Sequence, residues 1–372
     1  MENSNLLYLQ VKRNIVKEIK LMSPDQRIGS RTDLVKKYNV TRTTVDRAIS
    51  ELIGEGYLYS INGSGTYVTK HEEQITQRSD YSQTINWGII LPNIMYDTYP
   101  GILRGVEDIT NANNINSIIC NSDNDEEKQA SYICKLIDSN IKGLIIVPAI
   151  SEKKNIIPFK LLEEKNIPFV FCNRGVEGIE APKVISNNFY GGYIVTKHLL
   201  DSGYKNIAYV SSQMYSVTID RYQGYTSALY EAGLELKEDL VVFEEAFGEE
   251  RHGYKSTKML LSKDNRPDAI FCFNDGVAKG VYDAIIESGL KIGEDIGIAG
   301  YDDTSICEMF PVKLTSVKFK TYETGAKAAE LLLSKMNGEN IPKNKIVILQ
   351  PELKIRESSS KTPLGPFSKC IE

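Results

Sequence analysis

Hydrophobic residues recur every three or four positions over residues 6–21, which predicts an amphipathic helix. Residues 23–25, Ser-Pro-Asp, end this pattern. Two shorter helical patterns follow over residues 31–38 and 41–52, each beginning beside a serine or threonine that can act as an N-cap. Asn39 lies between them and can adopt the left-handed conformation of a tight turn. The chain therefore begins with three predicted helices.

After Gly56 the apolar period changes from that of a helix to that of a strand. Residues 57–61 and 66–69 predict a β-hairpin whose tip, residues 62–65, is rich in glycine. Two short helices joined by a tight turn and followed by a hairpin predict a winged helix-turn-helix over residues 1–70. The second helix of such a unit enters the major groove of double-stranded DNA. A protein-interaction module remains an alternative for this pattern.

The candidate DNA contacts are polar residues at the helix starts and a small residue at the hairpin tip. Arg42 can bind guanine or phosphate through two hydrogen bonds. Asp46 on the same face repels phosphate but can accept a hydrogen bond from cytosine. The predicted DNA-binding residues are Ser30, Arg31, Thr32, Thr41, Arg42, Thr43, Asp46, Arg47 and Gly65.

A second pattern begins after a polar stretch, residues 71–84, which we interpret as a linker. From Ile85 onward, short runs of Val, Ile and Phe alternate with helical segments, which predicts parallel sheets covered on both faces. Residues 85–358 exceed one doubly wound unit, so we expect an α/β body of two lobes, followed by a flexible tail over residues 359–372. The predicted strands cover residues 85–91, 115–120, 144–147, 169–172, 207–211, 240–244, 269–273 and 296–299.

Ligands of open α/β sheets bind beyond the carboxyl ends of the strands. The residues expected there combine amide, carboxylate and guanidinium groups with tyrosine rings, which suits a polyhydroxyl ligand. Residues at these positions also have simpler interpretations. Asn274 can cap a helix and Asp302 can fix a turn. Arg174 and Arg221 can be surface charges. The candidate effector-binding residues are Asn93, Tyr96, Tyr99, Arg174, Asn187, Arg221 and Asp275.

Charge divides the chain in the same way. Residues 1–70, the head, hold 11 Lys and Arg against 7 Asp and Glu, whereas the rest holds 33 against 42. A basic head on an acidic body fits a protein that meets phosphate with its head alone. The first residues contain no signal-peptide pattern, and the apolar runs are far shorter than the ~20 residues that span a bilayer. We therefore expect a cytoplasmic protein whose six cysteines are mostly buried free thiols.

Three motifs of the head are Thr41-Arg-Thr-Thr-Val45, Gly56-Tyr-Leu and Gly63-Ser-Gly-Thr-Tyr-Val68. Through them the head resembles the gluconate-repressor (GntR) winged-helix family. Two positions depart from that family, which often has Glu where Arg31 stands and a basic residue where Asp46 stands. The resemblance implies DNA binding but no particular operator.

Four motifs of the body are Tyr99-Pro-Gly-Ile-Leu-Arg-Gly-Val-Glu107, Arg221-Tyr-Gln-Gly-Tyr225, Phe273-Asn-Asp275 and Gly297-Ile-Ala-Gly-Tyr-Asp-Asp303. Through them the body resembles the lactose/purine-repressor family and its periplasmic sugar-binding relatives. The resemblance implies that Arg221 and Asp275 hold effector hydroxyls and that Asp302 lies at the hinge between the lobes. A GntR-type head on such a body is similar to the arrangement of bacterial arabinose repressors.

The sequence thus predicts a dimeric repressor of carbohydrate-utilisation genes that binds a pseudo-palindromic operator. Its effector would be a monosaccharide, L-arabinose or another, that releases it from DNA. A co-repressed regulator with a non-sugar effector and a pure sugar receptor are the alternatives. We expect no enzyme, cofactor or metal, because the chain has no phosphate loop after its first body strand and no nucleophile motif or histidine pair.

Overall fold

The computed structural model describes residues 2–19, 21–61, 63–69, 85–150, 155–243 and 249–361. Its contacts divide the chain into two compact units, Met1–Thr84 and Ile85–Glu372, and we call the second unit the body. The predicted linker, residues 71–84, lies outside the described residues, as does the end of the predicted tail, residues 362–372.

The head consists of three helices and a hairpin. In chain order these are α1 (Glu2–Ile19), α2 (Arg31–Tyr38), α3 (Arg42–Gly54), β1 (Leu58–Ile61) and β2 (Gly65–Val68). The strands pair antiparallel. Asn39 ends α2 with a left-handed φ of 51°, and Thr41 caps α3 by accepting a hydrogen bond from the backbone of Thr44 at 3.4 Å. The apolar side of α3 is fully buried, with Val45, Ala48, Ile49 and Leu52 inside.

The body alternates strands and helices along its length. In chain order its elements are β3 (Ile85–Leu91), α4 (Thr98–Ala112), β4 (Ile115–Asn121), α5 (Glu126–Asp138), β5 (Gly143–Ile146), α6 (Ile157–Glu164), β6 (Phe169–Cys172), β7 (Lys183–Ser186), α7 (Asn188–Asp201), β8 (Ile207–Ser211), α8 (Ser216–Glu231), β9 (Val241–Phe243), α9 (Glu249–Leu261), β10 (Ala269–Cys272), α10 (Asp275–Glu287), β11 (Gly297–Asp302), α11 (Ile306–Met309), β12 (Thr315–Lys318), α12 (Thr321–Met336), β13 (Ile346–Leu349) and β14 (Glu352–Lys354). Short 3₁₀ turns precede β9 and follow β14.

Two six-stranded sheets form two lobes, which confirms the predicted α/β architecture. The first sheet has the order β13-β7-β6-β5-β3-β4 and is wholly parallel. The second has the order β14-β12-β11-β10-β8-β9, with β14 antiparallel to its neighbour. The chain passes between the lobes three times, after β7, after β12 and after β13. Three covalent connections therefore join the lobes side by side.

Three helix pairs pack closely because each helix carries a glycine at the contact. A Cβ atom at any of these positions would overlap the backbone of the partner helix. Because the helix backbones are in contact at these positions, a residue with a Cβ atom does not fit without moving one of the helices. The pairs are α4 with α12 through Gly105 and Gly325, α7 with α8 through Gly192 and Gly224, and α9 with α10 through Gly253 and Gly280.

Several short elements were not predicted. Strands β7, β12, β13 and β14 have only three or four residues each. In β13 exposed and half-buried positions alternate, which gives no continuous apolar run. The flexible tail predicted from residue 359 is wrong at its start, because Ser359 is fully buried. Its hydroxyl is 2.6 Å from that of Thr315.

Four of the cysteines, Cys120, Cys172, Cys272 and Cys307, are buried free thiols, and Cys134 is exposed. Within the described ranges, no helix is both long and apolar enough to cross a bilayer.

The glycine contact between α7 and α8 makes a stability prediction. Gly224→Ala places a methyl group against the backbone of Phe189 and Tyr193, so we expect it to lower the free energy of unfolding by ~1–3 kcal/mol. Gly54→Ala is the control, because no atom lies within 4 Å of its Cβ position; it should stabilise by up to ~1 kcal/mol. Urea denaturation followed by circular dichroism measures both. Equal stability of Gly224→Ala and the wild type would contradict the close packing.

Candidate functional site

The candidate DNA-reading surface is formed by the first turns of α2 and α3 and by the hairpin. Arg42 extends into solvent, with 78% of its side chain exposed. Thr43 is also exposed and lies 3.2 Å from the Thr41 hydroxyl. On α2, Ser30 is held in a capping box with Asp33, while Thr32 is exposed. Thr41 and Ser30 therefore fix the helix starts, and Arg42, Thr43 and Thr32 are open to a partner.

The two residues that depart from the head family are paired with each other. Arg31 Nε donates to Asp46 Oδ1 at 3.1 Å, and Arg31 Nη1 donates to Thr66 Oγ1 at 2.8 Å. The pair thus joins α2, α3 and the hairpin. The second carboxylate oxygen of Asp46 lies 3.8 Å from Arg42 Nε. With two arginines beside it, the Asp46 carboxylate repels phosphate much less than an isolated acid would.

The remaining two predicted contacts have structural partners. The Arg47 guanidinium lies 3.9 Å from the centroid of the Tyr8 ring, on the side of α1. Gly65 has a φ of +146°, and a Cβ there would lie 2.5 Å from Arg27 Nε. Arg27 is exposed beside the hairpin, and sequence reasoning missed it because it lies between the first two predicted helices and in neither of them. Its cation adds to the charge of the hairpin region.

In the body, a cavity of about 410 Å³ lies between the two lobes. Five predicted effector-binding residues line it: Asn93, Tyr96 and Tyr99 after β3, Arg174 after β6, and Arg221. Arg221 reaches the wall from within α8 and not from the end of a strand. The cavity opens at the carboxyl ends of the strands of both sheets, as expected for this topology.

Arg221 is buried in the wall of this cavity with all three of its nitrogens bonded. Nε donates to Asn188 Oδ1 at 3.1 Å, Nη1 to the carbonyl of Phe273 at 2.6 Å and Nη2 to Asp302 Oδ1 at 3.3 Å. Its guanidinium lies 3.4 Å from the centroid of the Tyr301 ring. The Asp302 carboxylate is therefore the counter-ion of Arg221 and part of the wall.

Asp275 does not line the cavity, contrary to the prediction. Its carboxylate points into the second lobe and accepts hydrogen bonds from the Thr304 backbone at 2.7 Å, the Thr304 hydroxyl at 3.0 Å and the Ser316 hydroxyl at 2.7 Å. Burial, together with the nearby charge of Asp302, raises the pKa of Asp275 to about 7. The strand-end pattern correctly places Asp275 at the start of α10, but it does not encode the direction of the side chain.

Asn187 also lies outside the cavity wall. It caps α7 by accepting a hydrogen bond from the Tyr190 backbone at 3.1 Å. Its amide nitrogen donates to Gln350 Oε1 at 3.2 Å. Asn187 and Gln350 belong to two of the three connections between the lobes, so this bond lies at the hinge. Asp302, which was predicted for the hinge, has a φ of 102° and faces the cavity.

Side-chain contacts between described residues cross the cavity from one lobe to the other. The amide of Asn274 donates to the Tyr96 hydroxyl. Arg174, fixed by a 2.7 Å bond from Nε to the carbonyl of Pro148, lies 5.7 Å from the centroid of the Tyr215 ring. Asn274 also caps α10 through a 2.9 Å bond from the Val277 backbone. Asn274 therefore caps a helix, as its simpler interpretation predicted, and also forms part of the cavity wall.

Comparison with known proteins agrees with this division of the chain. Residues 7–68 match the family of bacterial regulatory proteins of the gntR type, and residues 196–359 match the periplasmic binding protein-like domain. The arabinose metabolism transcriptional repressor of Halalkalibacterium halodurans is 30% identical over 367 residues, which cover 96% of each chain.

The chain belongs to the GntR/LacI-type transcriptional repressors. Solved structures agree with this assignment. The transcription regulator CcpA of Lactococcus lactis is 30% identical, covers 74% of this chain and 99% of its own, and superposes with a TM-score of 0.67. A LacI family regulator from Enterococcus faecium with bound ribose is 28% identical over 74% of this chain and 99% of its own, with a TM-score of 0.64. These relatives are regulators, so the repressor belongs to a family of DNA-binding proteins and not of enzymes.

Sequence reasoning missed several residues of the repressor's cavity wall. Tyr215 and Asn124 follow strands β8 and β4 by three or four residues, so a wider search beyond each predicted strand would have found them. Phe319 follows β12, a strand that was not predicted. No local sequence signal distinguishes Phe319 from an ordinary apolar residue.

The raised pKa of Asp275 leads to a prediction about how the free energy of unfolding depends on pH. The folded body binds this proton more tightly than the unfolded chain, whose pKa is near 3.8. Stability from this group is therefore lost as pH rises from about 4 to about 7, by up to about 1.4 kcal/mol per pH unit. Asp275→Asn cannot titrate, so the stability difference between wild type and variant should fall over this range and then level off.

Urea denaturation at a series of pH values measures this difference. Asp123→Asn is the control, because the ion pair with Lys128 lowers the pKa of the exposed Asp123, so it is already charged throughout the upper part of this range. Parallel stability curves for wild type and Asp275→Asn would refute the assignment.

Proposed function

We propose that this repressor controls carbohydrate-utilisation genes and that a monosaccharide bound between the lobes releases it from its operator. The observation that carries the proposal is the chemistry of the cavity wall. Aromatic rings of Tyr96, Tyr99 and Phe273 lie beside the amides of Asn93 and Asn274. Rings pack on the apolar faces of a sugar, while amides bind its hydroxyls as donors and acceptors.

The identity of the relatives supports a sugar. One relative is an arabinose metabolism repressor and another holds ribose. The cavity volume of about 410 Å³ lies at the lower end of the ~300–1,000 Å³ typical of small-molecule sites. L-Arabinose is the first neutral sugar to test.

For the head, we propose that α3 enters the major groove and that Arg42 contacts a base or phosphate there. Its high exposure and its place in the first turn of α3 support this role. Thr32, Thr43 and the Arg31–Asp46 pair would border the contact, with Gly65 at the hairpin bringing backbone close to DNA. A dimer formed through the body, in the cytoplasm, would read a pseudo-palindromic operator.

Regulation follows from linkage between the two binding events. A sugar lowers operator affinity only by as much as it binds the DNA-free state more tightly than the DNA-bound state. Such coupling is typically ~1–3 kcal/mol, or about 5- to 150-fold in affinity. A gel shift with and without sugar measures it. Tighter DNA binding in the presence of the ligand would favour co-repression over release.

Arg42→Ala should weaken binding to a DNA fragment selected by the wild-type protein by about tenfold or more, because each good bidentate contact is worth ~1–3 kcal/mol. Arg104→Ala, on the exposed surface of α4 in the body, is the control and should bind normally. Gel shifts measure both variants. Unchanged affinity of Arg42→Ala would remove Arg42 from the DNA interface.

Arg221→Ala should keep operator binding and lose the sugar response, because it removes the guanidinium that orders Asn188 and Asp302 in the wall. Tyr96→Ala is a milder variant that removes only a half-buried ring, and it should weaken the response as well. Titration of sugar against the protein–DNA complex measures release. A normal response in both variants would place the effector elsewhere.

A further inference from the structure

The cavity wall contains two arginines that are buried to the same extent but are paired differently. Arg174 and Arg221 are 6% and 5% exposed. Arg221 has Asp302 as a counter-ion at 3.3 Å. Arg174 has one hydrogen bond, from Nε to the carbonyl of Pro148. Within the described ranges, neither terminal nitrogen of Arg174 has a hydrogen-bond or ion-pair partner.

A buried guanidinium without a counter-ion is unfavourable, because burial removes the water that solvates its charge. The Tyr215 ring beside it offers a cation–π contact but no anion. The bond to Pro148 fixes the side chain at the cavity wall. Among the described residues, Arg174 is therefore a preorganised cation without a counter-ion, and its four unused N–H groups can bind an anion.

The two carboxylates that line the described part of the wall are not available to Arg174 as free charges. Asp302 is paired with Arg221, and Asp123 is paired with Lys128. Helices α4 and α8 also begin at the wall, where Thr98 and Val217 line the cavity in their first turns. The positive ends of the two helix dipoles add to the potential that Arg174 creates.

We propose that the effector is a monosaccharide that bears an oxyanion, as a phosphate ester or an aldonic acid, and that Arg174 binds this oxyanion. This inference rests on the proposed function, since it specifies the chemical class of the same effector. The oxyanion accepts hydrogen bonds from the terminal nitrogens of Arg174, and the aromatic rings and amides of the wall hold the hydroxyls.

The test compares matched sets of ligands with the full-length protein. Each set contains a neutral sugar, its terminal phosphate ester and its aldonic acid, and the parents are arabinose, ribose and glucose. Isothermal titration gives the dissociation constants. At least one charged member should bind about tenfold more tightly than its neutral parent, as expected for a charge-assisted contact. Added salt should reduce this preference. Comparison of the phosphate ester with the aldonic acid of the same sugar shows which oxyanion the site prefers.

Variants at Arg174 assign the preference to this side chain. Arg174→Met removes the charge at similar length and should abolish the preference for the charged member of the set. Arg174→Lys keeps the charge without the fork and should retain part of the preference. Arg104→Met, on the exposed surface of α4, is the control and should bind as the wild type. Should Arg174→Met fail to fold, Arg174→Lys and the wild-type comparison still test the proposal.

The outcomes separate this inference from the proposed function. If a neutral sugar binds as tightly as its charged derivatives and releases the operator, the proposed function stands and the oxyanion inference is wrong. A preference that persists in Arg174→Met also overturns the inference. If no member of any set binds or affects operator binding, the proposed function itself fails, and the inference fails with it.

Discussion

Arg221 connects several segments of the body at the cavity wall. From the middle of α8 its guanidinium reaches the start of α7 at Asn188, the end of β10 at Phe273 and the end of β11 at Asp302. It also lies against the ring of Tyr301. A buried charge is stable only when it is paired and hydrogen-bonded, so these four segments must keep their relative positions. The wall of the second lobe is therefore rigid where an effector would meet it.

The charge of Arg221 also determines how its neighbours ionise. It favours the charged form of Asp302, although burial still raises the pKa of that carboxyl. Asp302 in turn contributes to the raised pKa of Asp275, which lies behind the wall. Asp302 thus neutralises Arg221 at the cavity wall. Asp275 is held instead by the hydroxyls of Thr304 and Ser316 and by the backbone N–H of Thr304. Arg174, at the other side of the cavity, has no counter-ion among the described residues, and the oxyanion proposal rests on this contrast.

The connections between the lobes are held less firmly than the wall of the second lobe. Three chain segments cross between the sheets, and Asn187 bonds to Gln350 across two of them. Lys320 and Glu352, also at the crossings, form an ion pair at 2.8 Å. Exposed or half-exposed bonds of this kind contribute little free energy, so they do not hold the lobes in one fixed orientation. The glycine-packed helix pairs, in contrast, hold each lobe together internally.

Much of the fold was predictable because its signals are local. The helical period of α3, the left-handed Asn39 and the long apolar strands each depend on neighbouring residues, and the structure contains all of them. Four short strands escaped prediction because the partners that order them are distant in the chain. For the cavity, strand ends identified Asn93, Tyr96, Tyr99 and Arg174, since parallel strands finish at one edge of a sheet.

By itself, the sequence determined the winged helix, the doubly wound lobes and the set of polar residues near the strand ends. Tertiary structure alone decided which of those polar residues face the cavity. Asp275 and Asp302 are both acids at strand ends, yet one is bound by Thr304 and Ser316 and the other by Arg221. Likewise, only the folded head shows that Arg31 and Asp46 neutralise each other. Side-chain direction and pairing depend on contacts between segments far apart in the chain, and periodicity along the chain does not encode those contacts.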